Sequence, residues 1–202
     1  QAICGDISPY ASFISYSYNT PVDLDVVESE SDQILMDVIS KCSWLYETKH
    51  TNGGVGLINY TVWSDVFSCA NCGKEIVFWE AAMNMEKKKI TDTFNCLHCN
   101  SINDKGSADK KWITFFDAQL NKTINIAKSV PVLIVYTYNG KRFQKSAATE
   151  DIKLVQKINE MVIPEWCPTY ELPYGLNTEQ PKKSHGVTNI HLFYTKRNLF
   201  AL

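Results

Sequence analysis

The sequence predicts an α+β fold in which helices mix with antiparallel strands around an inserted four-cysteine ribbon. Three observations predict it. Apolar side chains recur at spacings of three, four and seven over residues 27–45, which is the repeat of a helix. Separate runs at 57–63, 112–116 and 131–138 have the β-branched and aromatic content of strands. Between the first two of these runs lie two Cys-x-x-Cys pairs, Cys69/Cys72 and Cys96/Cys99.

Taken in chain order, residues 1–5 read as a short strand that ends at Asp6. Thr20-Pro21-Val22-Asp23 gives start signals for a helix, and Asp25, Glu28, Glu30 and Asp32 fall where its dipole favours negative charge. The apolar face is Val27, Ile34, Leu35, Val38, Ile39, Cys42 and Leu45, which makes Cys42 a core residue. Gly53-Gly54-Val55-Gly56 is a turn and not a phosphate loop, since no strand precedes it and no Lys-Ser/Thr follows. Leu57–Trp63 is then a strand, and Glu75–Trp79 is strand-like. Trp112–Phe116 is the next strand. Pro131–Tyr138 and Lys141–Lys145 form a hairpin about Asn139-Gly140, a pair that supplies the positive φ angles of a tight type I′ turn. A helix follows over Glu150–Met161. Pro164–Ser184 holds four of the seven prolines and reads as irregular connection. Val187–Phe193 reads as a last strand, and Thr195 caps a closing helix.

With 202 residues, 45% of them hydrophobic, the chain has room for one ordinary domain and a small appended module. No apolar run approaches the roughly 20 residues of a membrane span. No basic stretch followed by an apolar core marks a signal peptide. The expectation is therefore a cytoplasmic protein, in which thiols stay reduced and paired cysteines serve metals rather than disulfides. The chain lacks a starting Met and stops in the helix-favouring Asn198–Leu202, so it is expected to be an internal fragment of a larger protein.

Net charge is −2, which by itself does not mark a nucleic-acid binder. Its distribution is uneven. Residues 103–145 carry eight basic side chains against three acidic, and 180–202 carry four against none. Two basic islands in an otherwise acidic chain fit a surface that touches phosphate on one side, and equally fit ordinary solvated lysines.

Each Cys-x-x-Cys places two sulfurs on a tight turn, and two such turns complete a tetrahedral four-sulfur shell. Gly73 and Asn100 follow the second cysteine of each pair, where a residue that tolerates positive φ lets the knuckle close. The 23 residues between the pairs include the charged stretch Glu86–Lys89, an interval that suits a ribbon with an extra loop. A structural zinc ion on Cys69, Cys72, Cys96 and Cys99 is the expectation. Four thiolates leave no open position for catalytic water. His98 reads as an exposed knuckle residue, and Cys4, Cys42 and Cys167 as buried small hydrophobes. Because the module promises little core of its own, removing the metal is expected to unfold residues 66–102.

The flanks carry a resemblance. Cys4-Gly5-Asp6-Ile7-Ser8-Pro9-Tyr10-Ala11 resembles the second strand of an S-adenosylmethionine-dependent methyltransferase, although Gly-Asp-x-Ser-Pro equally suits a helix cap. Ser12–Asp23, Asn59–Phe67 running into the first knuckle, and His191–Leu199 are similar to a family of bacterial DNA methylases. These methylate adenine N6 or cytosine N4 and carry a zinc ribbon. The likeness is strongest at the start, around the ribbon and at the end, and weakest over 80–95 and 101–128. It implies pieces of a Rossmann-like methyltransferase core at 1–23 and 185–202. Between them it implies a helix and strand at 24–65, the ribbon at 66–102, and a target-recognition region at 103–184. It implies that Asp6 contacts the ribose of S-adenosylmethionine. The family's glycine-rich cofactor loop and its Pro-Pro catalytic motif are absent from the sequence, so no catalytic residue is assigned. The expected partners are duplex DNA and the rest of the methyltransferase core, with no membrane. Phosphate contacts would come from Lys105, Lys110, Lys111, Lys141, Arg142 and Lys145, then Lys182, Lys183, Lys196 and Arg197. The hairpin tip at Asn139-Gly140-Lys141-Arg142 is the best candidate for a groove probe, and equally reads as a solvated turn; Arg197 has a second possible role at the interface with the catalytic domain. Two other readings stand beside this one: a non-catalytic zinc-ribbon adaptor for nucleic acid or protein, and an RNA-modifying enzyme with the same core.

Overall fold

The computed structural model describes residues 5–84 and 89–202. The strand expected over residues 1–5 and most of the charged stretch at 86–89 therefore lie outside the described residues. The chain forms two compact units, residues 1–43 and residues 44–202.

The first unit is helical. Helix α1 (Pro9–Asn19) follows the helix-cap reading of the Gly-Asp-x-Ser-Pro segment: Ser8 caps it and Pro9 opens it. Helix α2 (Leu24–Cys42) begins where the sequence places it, with the Asp23 carboxylate accepting from the N–H groups of Asp25 and Val26. Its apolar stripe is present but uncovered. No residue of either helix is buried, Cys42 is only half-buried, and Ile34, Leu35 and Ile39 are exposed. Periodicity marks the apolar face of a helix; it does not say what covers it.

The second unit is built on strands. After a 3-10 turn carrying the buried Leu45 come β1 (Glu47–Lys49) and β2 (Val55–Ser68). The latter is twice the expected length and includes Gly56. There the ring of Tyr136 occupies the space a Cβ would need, so a strand interior accepts glycine. Next are β3 (Glu75–Val77), a short helix α3 (Phe78–Ala82) where strand was expected to continue to Trp79, β4 (Met83–Asn84) and β5 (Lys89–Ile90). Then come β6 (Thr93–Asn95), β7 (Ile102–Asp104), β8 (Trp112–Asp117) and β9 (Lys122–Ala127). The partner strand β9 was not foreseen; its turn uses Asn121 at φ 50°. Strands β10 (Ser129–Tyr138) and β11 (Lys141–Ser146) pair in the expected hairpin, with Asn139 and Gly140 at φ 48° and 72°. Helix α4 (Thr149–Glu160) follows.

Two expectations fail near the end. Helix α5 (Leu176–His185) occupies part of the stretch read as irregular, with Pro181 inside it, and closes on Gly186 in the left-handed conformation. Val187–Phe193 makes no strand. One bridge, Glu171↔Asn189, precedes a 3-10 turn at Ile190–Phe193. Backbone bonds from Leu172 to the Thr188 carbonyl and from Ile190 to the Tyr170 carbonyl hold the segment, and side chains add to them: the Asn189 amide donates to the Thr169 carbonyl, and His191 pairs with Asp117. Helix α6 (Lys196–Ala201) closes the chain, capped by Thr195 as expected.

The main sheet is antiparallel, in the order β1-β2-β10-β11, and β3 pairs with the far end of β2. Strand β2 thus serves two cores. One is Ile58, Ile134 and Tyr136 on the sheet. The other is Phe67, Ile76, Phe78, Phe94 and Ala82, packed against the buried Cys69 and Cys96. The expectation of a ribbon with little core is corrected by this second cluster. Its three phenyl rings lie 5.3–5.9 Å apart, two of the contacts edge-on.

Candidate metal centre

Strand β2 runs straight into the first knuckle, and the β6–β7 hairpin carries the second. The two turns are built alike. In one, the Cys69 N–H donates to the Lys74 carbonyl and the Gly73 N–H to the Cys69 carbonyl. In the other, the Cys96 N–H donates to the Ser101 carbonyl and the Asn100 N–H to the Cys96 carbonyl. Gly73 at φ 68° and Asn100 at φ 59° hold the equivalent left-handed positions, as the sequence suggested.

The four sulfurs converge. All lie within 4.8 Å of one another. Cys69 Sγ is 3.6 Å from Cys99 Sγ, and Cys72 Sγ is 3.8 Å from Cys96 Sγ. Those separations are far beyond a disulfide bond of about 2.05 Å. They match the edge of about 3.8 Å that four sulfurs make around one ion at a Zn–S distance of roughly 2.3 Å. The cluster can therefore hold a metal ion, and its donor set is soft and complete.

Residues that the motif does not name prepare the sulfurs. Ser101 Oγ lies 3.2 Å from both Cys69 and Cys99. Its hydroxyl, followed by the backbone of Cys72 and Asn71, holds the Cys69 thiol down at about 5. The same hydroxyl, with backbone and Asn71 amide contacts, lowers Cys99 to about 7. For Cys72 the largest influence, a backbone contact from Lys74, works downward. Desolvation and the neighbouring thiols outweigh it and push Cys72 up to about 11. Asn103, buried behind Cys69, accepts weakly from the Ala70 N–H and donates to the Ser101 carbonyl. Ser101 and Asn103 escaped sequence reasoning; their only signal was a hydroxyl and an amide within four residues of a knuckle. His98 is exposed, as expected.

The basic candidates divide by environment. Lys141 and Arg142 are exposed at the hairpin tip, with Arg142 5.4 Å from the Tyr60 ring centre. Lys183 and Lys105 are exposed too, Lys105 over the Phe78 ring. The others have local work. Lys145 pairs with Asp151 at 2.9 Å and donates to the Lys49 carbonyl. Lys110 bridges Asp65 and His185, and Lys182 pairs with Glu179. Lys196 donates to the Asn159 carbonyl, and Lys111 is half-buried. Arg197 is buried over the Tyr46 ring; burial lowers its pKa, opposed by Tyr46 and Asp151.

Asp6 is exposed, and its Oδ1 accepts from the Ser8 N–H at 2.8 Å in the turn that opens α1. Cys167 is half-buried, and desolvation followed by the Asp117 charge raises its thiol pKa. No helix of the described residues is long and apolar enough to cross a membrane. Comparison with protein-family models, curated proteins and solved structures finds no match to the chain.

Proposed function

We propose that the four cysteines hold one structural zinc ion, and that the chain is the target-recognition region of an S-adenosylmethionine-dependent DNA methyltransferase acting on an exocyclic base amine. The observation that carries the reading is a complete four-sulfur knuckle site, its first knuckle at the end of β2, together with an exposed Lys141-Arg142 hairpin tip on the sheet to which β2 belongs. The resemblance at 12–23, 59–67 and 191–199 gives the enzyme class. The zinc does no chemistry, because four thiolates saturate it. Its task is to fix the two knuckles against the Phe67-Phe78-Phe94 core. Lys141, Arg142 and Lys183 supply phosphate contacts, which orient a duplex, while base edges specify the site. Asp6 does not compose a cofactor cradle: it is one exposed carboxylate with an oxygen already engaged. In this reading the methyl transfer itself belongs to the methyltransferase core that this region serves.

Two measurements test the reading. Metal analysis of protein purified without added zinc should return about one zinc per chain. Absence of bound metal, or thiols that alkylate equally fast with and without chelator, would sink the zinc centre. Gel shift on duplex DNA should show affinity that falls with salt, and Lys141→Ala with Arg142→Ala should weaken it about tenfold and flatten the salt slope by about two. Unchanged affinity in the double variant removes the hairpin from the interface.

A further inference from the structure

A cavity of about 290 Å³ lies between β2, α4 and the start of α6, lined among others by Tyr60, Thr61, Trp63 and Arg197. Two of its polar groups are left short of partners. Arg197 is only 9% exposed, and its Nε has no hydrogen-bond partner among the described residues. Thr61 Oγ1 is buried and equally without a partner. The carboxylate that acts on Arg197, Asp151, is already held by Lys145, Thr48 and the Ala148 N–H. The Tyr46 ring lies under the guanidinium, 5.7 Å from its centre, and helps fix its orientation. Tyr46 in turn donates to Asn198 Oδ1 at 3.0 Å, which fixes the ring.

A buried guanidinium with an unpaired N–H, whose nearest acting carboxylate is engaged elsewhere, and a buried hydroxyl without an acceptor are each unfavourable. Two of them around one cavity call for a ligand that brings oxygen acceptors and negative charge. Arginine's planar fork matches phosphate oxygens, and a hydroxyl adds a further donor. Trp63, two residues from Thr61 on β2, also lines the cavity and offers ring surface. A volume near 290 Å³ suits one small molecule and excludes a duplex.

We propose that this cavity is a nucleotide site, with Arg197 and Thr61 holding the phosphate and Trp63 flanking the base. The assignment does not depend on the methyltransferase reading or on the zinc. The phosphate and base can come from a free mononucleotide or from one unpaired nucleotide of a strand.

Titration calorimetry on the whole zinc-loaded chain separates these sources, using the four 5′-mononucleotides, inorganic phosphate, and a 5′-phosphorylated single-stranded tetranucleotide. At least one mononucleotide should bind with a dissociation constant below about 1 mM. Equal affinity for the tetranucleotide marks a free-nucleotide site, and tighter tetranucleotide binding marks a strand site. Arg197→Lys should weaken binding about tenfold or more, since a point charge replaces the fork. Thr61→Val should weaken it about fivefold while leaving Tm unchanged or higher, because the variant removes an unpartnered buried hydroxyl. That second variant carries the test if Arg197→Lys does not fold. No binding of mononucleotide or tetranucleotide at about 5 mM overturns the proposal. So does binding that Thr61→Val leaves untouched. Inorganic phosphate binding as tightly as every mononucleotide removes the base from the site and overturns the nucleotide assignment.

Discussion

At the scale of single residues, the knuckles separate what a motif specifies from what its neighbours supply. The cysteine spacing and the two left-handed positions, Gly73 and Asn100, were legible because each follows from local backbone geometry. The Ser101 hydroxyl that lowers two of the thiols was not, since its effect depends on Cys69, 32 residues away, folding beside it. The resulting inequality has a pH consequence. Cys72, pushed up to about 11, carries its proton throughout the neutral range, and a metal must displace it. Lower pH favours the protonated thiol, so affinity falls as pH falls. Competition with a chromogenic chelator between pH 6.5 and 8.5 should show log affinity rising by at least about one per pH unit. A flat profile would mean that no ligand thiol is protonated before binding. Arg197 and Asp151 were illegible for a related reason: a charged side chain goes inside only because of partners remote in sequence. Asp151 shows this with Thr48, 103 residues away.

Among the elements, those read correctly are the ones whose signals are local. The β10–β11 hairpin follows from Asn139-Gly140, and the starts of α2 and α6 follow from Asp23 and Thr195. Helix α1 carried its own signals in Ser8 and Pro9, but the resemblance to a cofactor-binding strand overrode them. Helix α5 was hidden by proline content: Pro164, Pro168 and Pro173 do mark irregular chain, whereas Pro181 sits inside the helix. That helix stops at Gly186, whose φ is 74° and whose missing Cβ would collide with the Asn125 carbonyl on β9. Gly186→Ala should therefore combine left-handed strain with a clash against backbone, costing about 2 kcal/mol or more. Thermal melts should show Tm lower by about 5 °C or more. A variant as stable as the parent would show that α5 and β9 are not tightly docked.

For the molecule as a whole, the sequence conveyed the α+β class and the four-cysteine centre, and neither the division at residue 43 nor the sharing of one strand between two cores. Such sharing rests on β2 continuing past its predicted end at Trp63, where Ser64, Val66 and Phe67 are buried by β3 and the ribbon core. The strand pairs with β10 near the hairpin and with β3 beside Cys69, without a break in the chain trace between them. It is therefore a ruler. Eleven or twelve residues at about 3.3 Å each set the hairpin tip and the first knuckle roughly 40 Å apart. B-form DNA advances about 34–36 Å per turn, so if the proposed duplex lies along β2 from the hairpin tip to the first knuckle it would be covered for about twelve base pairs, slightly more than one turn. Hydroxyl-radical footprinting should return protection of that length. Inserting two residues into both β2 and β10, so that the ladder between them keeps its register, would lengthen the gap by about 7 Å, or two base-pair steps, and should change the measured span while leaving Lys141 and Arg142 in place.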